Sequence, residues 1–149
     1  MSEKSVVVGV DGSPGARVAL EYAIEEAARR GALLRVVAAV EPPELWAALY
    51  GAYVPPPRSE IIGQVRKETR RWVDEVVTAR GFAATTLPIS LEIRVGRPGD
   101  ILVGAAEDAE LLIVGHRGRS SVASVLLGSV GLHCVLHANC PVTVVRPDA

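Results

Sequence analysis

The residues most suited to chemistry lie in one stretch, "GHRGRSSVASVLLGS", residues 115–129, which follows an apolar run. Glycine lacks a Cβ, so its backbone can turn freely and bring N–H groups against a phosphate oxygen. Gly115, Gly118 and Gly128 are candidates for such a cradle. Ser129, ahead of a predicted helix, could cap that helix or offer its hydroxyl to a phosphate, and the helix start adds about half a positive charge. Arg117 and Arg119 would balance phosphate charge, with Ser120 beside them. A second turn-rich segment, Asp11-Gly12-Ser13, ends the first apolar run. Asp11 is an acceptor only, which suits ribose hydroxyls, an adenine amino group or a metal rather than a phosphate. The stretch is neither a Walker A loop, since no Lys stands at the required spacing, nor G-x-G-x-x-G.

These segments need elements to hold them. "KSVVVGV", residues 4–10, is a short β-branched run suited to a strand covered on both faces. Ser13-Pro14 is a helix start, and Ala16, Leu20, Ala23, Ile24 and Ala27 recur at helical spacing until Gly31. Residues 32–40 form a second buried strand. A helix is expected from about Ser59 to Arg80, a strand over 91–95, a short helix over Ile101–Glu107 and a strand over 110–115. "SVGLHCVLHA" then reads as a helix and "PVTVVRP" as a final strand. Strands alternating with helices predict a parallel sheet with helices on both faces. Ligands of such sheets settle outside the carboxyl ends of the strands, where the strand order reverses. If the first strand is central, the Asp11 and Gly115 segments face each other across one crevice.

The 149 residues are expected to form a single domain, 1–149. The near-cancelling charges, formally −1, give no basic field for nucleic acid. The lack of a membrane-length apolar run and of a secretory leader pattern predicts no membrane association and a cytoplasmic location. Residues 41–58 hold five prolines and three of the six aromatics, a connection long enough to be a lid, a partner contact or an added packed turn. His133 and His137, four apart, read as solvated or interface histidines rather than metal ligands, and Cys134 and Cys140 as small core residues. His116 near Ser120, Ser121 and Asp11 has the residue types of a hydrolytic triad without its nucleophile motif, and no catalytic residue is assigned.

The spacing Gly115-x2-Gly118-x9-Gly128-Ser129 is similar to the nucleotide-binding motif of the universal stress protein family. "VVVGVDGSPGARVALEYAIEEAARRGALLRVV" resembles the family's first β-α-β unit, and "LLIVGHRGRSSVASVLLGSVGLHCVLHANCPVTVVRP" its last. The resemblance implies a five-stranded parallel α/β fold of Rossmann-like type, order 3-2-1-4-5, in the ATP-binding class and often a homodimer. It puts Asp11, Gly12 and Ser13 along the adenosine and the Val40 backbone at the adenine edge. Gly115 would border the ribose, and Gly118, Gly128 and Ser129, with the adjoining Val130, would hold phosphates. Contacts from Arg117, Arg119 and Ser120 are a chemical expectation. Gly131 departs from the family, where many relatives carry serine.

The expected function is ATP binding, with Mg2+ as an optional companion, serving as a signal or conformational cofactor in a cytoplasmic stress response. A weak metal-dependent ATPase and a cyclic AMP binder are the alternatives. The final strand, Val142 to Arg146, is the expected dimer edge, and an unidentified protein partner is expected besides.

Overall fold

The computed structural model describes residues 3–42, 51, 56–81, 86–117 and 127–147. Its elements are β1 (Ser5–Gly9), α1 (Pro14–Arg30), β2 (Leu33–Val40), α2 (Arg58–Ala79), β3 (Ile89–Val95), α3 (Pro98–Ala105), β4 (Leu111–Gly115), α4 (Ser129–His137) and β5 (Val142–Val145). All strand pairings are parallel and the sheet order is β3-β2-β1-β4-β5. The chain therefore winds outward from β1 to β3, crosses back, and winds outward again from β4 to β5. That reversal sends the first two helices to one face and the last two to the other.

Alternation along β1 divides the core between the faces. Val6 and Val8 join α1 and α2 through Leu20, Ile24, Val73, Val76 and Val77, together with Leu34, Val36 and Ile113. Val7 joins α3 and α4 through Leu102, Ala105 and Cys134, with Val37, Leu112 and Val114. Val6, Val7 and Val8 are fully buried, and a valine removed from water contributes roughly 1.5–3 kcal/mol before entropy is counted. This two-sided burial explains why the strands read as continuous apolar runs.

The helix signals act much as expected. Ser13 caps α1, its Oγ accepting the Ala16 N–H at 3.1 Å, and Pro14 starts the helix. Gly31 ends it in the left-handed region, φ 62°. At the far end of α2, Arg80 forms ion pairs with Glu21 and Glu25 of α1 and ties the two helices together. Boundaries differ from the sequence reading at β3, which begins at Ile89 rather than residue 91, and at the last two helices. The third helix begins at Pro98, not Ile101, because a proline at the first helical position is pre-set for it. The fourth is capped by Gly128, with Ser129 already inside the helix and no side-chain cap bond.

Candidate functional site

The strand order places the carboxyl ends of β1 and β4 side by side, and the two turn-rich segments meet there. Close approach depends on two glycines facing each other. A Cβ on Gly115 would stand 2.8 Å from the Gly15 carbonyl oxygen, and one on Gly15 would stand 2.5 Å from the Arg117 carbonyl oxygen. Real Cβ atoms do not approach backbone this closely, so any side chain at either position forces β4 and α1 apart. Gly115, expected as a ribose neighbour, thus has a packing reason of its own.

On the β1 side, Asp11 and Gly12 are exposed while Ser13 is buried. Asp11 Oδ1 accepts the Ser13 N–H at 2.9 Å, which shapes the turn, and Gly12 takes φ 78°, a conformation that favours glycine. Ser13 Oγ is engaged as the helix cap, so this residue presents the site with its place in the turn more than with its hydroxyl. Val40 ends β2, three residues beyond the Val37 that pairs with Gly9, and so stands above the β1 end. Its carbonyl oxygen accepts the Gly96 N–H at 2.9 Å.

On the β4 side, the His116 carbonyl oxygen accepts the Gly128 N–H at 2.9 Å, which brings the start of α4 back against the strand end. Gly128 is buried and extended, φ −65° and ψ 159°, so no left-handed backbone requires glycine here. Ser129 is exposed in the first turn of α4. N–H groups in that turn lack intrahelical acceptors and carry the positive end of the helix dipole. The Val130 side chain packs into the second core, so only its backbone can serve a ligand. Gly131 is buried, and an added Cβ would meet the flexible Leu127 side chain at 3.0 Å. Arg117 lies at the crevice, its Nε buried without a hydrogen-bond partner. Gly118, Arg119 and Ser120 lie outside the described residues, as does most of the 41–58 segment.

Two other sequence features resolve into structure. His133 Nε2 lies 3.0 Å from Asp100 Oδ1, and the His133 and His137 rings are 4.5 Å apart. Among the described residues no group of three or more His, Cys, Asp or Glu could hold a metal ion. Cys134 is fully buried and its thiol is pushed up to about 11 by burial and by neighbouring Cys140, whose thiol burial also raises. Both cysteines are free.

A doubly wound parallel domain with a glycine-lined crevice at its switch point is the class that fold and geometry define. A sequence model of the universal stress protein family matches residues 3–146, and the chain belongs to that family. Universal stress protein Rv1996 of Mycobacterium tuberculosis H37Rv is 32% identical over 152 residues, covering 96% of this chain and 48% of the relative. The chain thus spans about half the length of the curated relatives it matches. Solved structures share the fold, and two of them carry a nucleotide. One is a universal stress protein in complex with cAMP, TM-score 0.64 and 29% identity, covering 97% of this chain and 98% of that one. The other, from Archaeoglobus fulgidus in complex with dAMP, has TM-score 0.65 and 26% identity, with coverages of 97% and 98%. No helix among the described residues is long and apolar enough to cross a membrane.

Proposed function

We propose that this protein binds an adenine nucleotide, ATP in the first instance, in the crevice between β1 and β4. The nucleotide acts as a signal or conformational cofactor in a cytoplasmic stress response. The observation that carries this reading is the convergence at one switch point of the Asp11–Ser13 turn, the Gly115–Arg117 strand end and the first turn of α4. The related proteins solved with cAMP and dAMP support the adenine part of the ligand. Asp11, Gly12 and Ser13 would follow the adenosine, with the Val40 backbone near the base. Gly118, Gly128, Ser129 and the Val130 N–H would hold phosphate, and Arg117, Arg119 and Ser120 would flank it. The described residues build no metal cage of their own, so a magnesium ion would arrive held by the phosphates.

Cyclic AMP is the second reading, favoured by the relative that carries it. The same chain pairs with a second copy of itself through β5. That strand pairs only with β4 among the described strands, and the exposed Leu132, Val135 and Leu136 of neighbouring α4 continue the apolar surface.

Denaturing the purified protein and identifying the released small molecule tests the ligand. ATP in near-stoichiometric amount is the expected result, ADP would favour slow hydrolysis, and cyclic AMP would move the function to cyclic-nucleotide sensing. Should the pocket empty during purification, titration with ATP and cyclic AMP, with and without magnesium, decides. Gly128→Val, checked for retained fold by circular dichroism, should lose at least tenfold in affinity; unchanged affinity would remove the site assignment.

A further inference from the structure

The end of β5 belongs to the same crevice, although no glycine or serine marks it. The register pairs Gly115 with Val145, and the His116 N–H donates to the Val145 carbonyl oxygen at 2.9 Å. Arg146, the next residue, therefore stands beside His116, whose own carbonyl holds the Gly128 N–H at the start of α4. Val142 and Val144 pack into the core on the α4 side, as do Leu112 and Val114 of β4. Continuing that alternation puts Arg146 and His116 on the α4 side of the sheet, and the Arg146 charge is felt at the His116 ring. On the opposite flank, Arg117 carries its buried, partnerless Nε.

Among the described residues, arginines such as Arg35 and Arg80 make ion pairs, while none is found for Arg117 or Arg146. The first turn of α4 supplies about half a positive charge, which suits a single phosphate charge. Two further guanidinium charges, one on each flank of the strand end, together with the helix start exceed the single charge of a cyclic phosphate and the roughly two of a monophosphate. They match a chain of phosphates, whose oxygens a guanidinium fork receives in pairs.

We propose that Arg146 is a specificity-determining residue of this site. With Arg117 it receives the outer phosphates of a bound nucleotide, so that the crevice selects nucleoside polyphosphates over monophosphates and cyclic phosphates. The inference rests on the nucleotide reading above and adds to it a residue, a direction for the phosphate chain toward β5, and a preference among ligands.

Calorimetric titration of the full chain with ATP, ADP, AMP and cyclic AMP tests it, using the parent, Arg146→Gln and Arg146→Lys. The parent should bind ATP at least tenfold more tightly than AMP or cyclic AMP. Arg146→Gln should weaken ATP about tenfold and ADP less, while changing AMP and cyclic AMP by under twofold; Arg146→Lys should restore most of the ATP affinity. In the parent alone, ATP affinity should fall more steeply with added salt than AMP affinity, because more charge pairs are screened. An ATP-to-AMP ratio unchanged in Arg146→Gln would overturn the role of Arg146 and leave the nucleotide site standing. A parent that binds none of the four overturns the site reading, and this inference with it.

Discussion

Two arginine clusters occupy the same sheet and are balanced in opposite ways. At the β2–β3 edge, Arg35 donates Nε and Nη2 to the two Glu92 carboxylate oxygens at 2.9 and 3.2 Å and Nη1 to the Ala105 carbonyl oxygen at 2.8 Å. Arg94 adds a bond to Glu92 at 2.8 Å. Every guanidinium nitrogen of Arg35 has an acceptor, one of them at the C-terminal end of α3 where the helix dipole is negative. At the β4–β5 end, the charges of Arg146 and Arg117 both reach His116, and neither arginine has an ion pair among the described residues. The first cluster is closed and explains itself as structure. The second is left open toward the crevice, where an anion can complete it. Residue type does not separate a structural arginine from a ligand-directed one; the presence of a counter-charge does.

The largest expected effect that would break this contrast is on the closed cluster. Burial pushes the Glu92 carboxyl upward, but the hydrogen bond and charge of Arg35, followed by those of Arg94, outweigh it and hold the group below its ordinary value. Glu92→Gln leaves Arg35, whose side chain is 18% exposed, facing a neutral partner. Urea unfolding near pH 7 should show a loss of about 2 kcal/mol, with nucleotide affinity unchanged. Because the folded-state group titrates below the unfolded one, its stabilisation is present above the unfolded value and fades as pH falls through the folded one. The gap between parent and variant should therefore close in acid. A nucleotide affinity that fell with the stability would make the two clusters one system.

The open cluster should respond in the reverse sense. Arg117→Met keeps most of the stem and removes a buried polar nitrogen that has no partner, so stability should stay within about 0.5 kcal/mol of the parent or rise. ATP affinity should drop about fivefold, equivalent to roughly 1 kcal/mol. A variant that unfolds more easily but binds ATP normally would make Arg117 structural and remove half of the contrast.

How much of this was legible follows from the range over which each interaction acts. The strands, the Ser13 cap, the Gly31 stop and the helices on both faces are set by neighbours within a turn or a strand, and they stand where the sequence puts them. Pro98 shifts one boundary because proline is pre-set for the first helical position, and α4 starts one residue earlier than a Ser129 cap would have it because Gly128 already takes the extended cap conformation. Gly115 was legible as a glycine of the motif but not as the residue that clears the α1 backbone, since Gly15 lies a hundred residues earlier in the chain. Arg35 sits inside a run read only as a buried strand; its counter-charge is 57 residues away. Arg146 and His116 become neighbours only once the β4–β5 register is known.

The smallest expected effect tests whether the open cluster is truly uncompensated. Loss of solvation, then the charges of Arg146 and Arg117, hold His116 below the ordinary value of 6.5. The unfolded chain therefore binds more protons than the folded one in the window just below 6.5, so stability declines there as the pH is lowered. His116→Gln should flatten that part of the decline in melting temperature. A bound phosphate chain reverses the local field and lets the ring recover its proton. ATP binding should then take up protons between about pH 7 and 6, read by calorimetry in buffers of different ionisation enthalpy. The outer phosphate itself titrates nearby, with a pKa of about 6, so the comparison with His116→Gln isolates the ring. Equal proton uptake in parent and variant would mean that the phosphates do not reach the β4–β5 end, whatever holds them at α4. A smaller uptake in the variant would place phosphate charge next to His116, and the only described cations close enough to share it are Arg117 and Arg146.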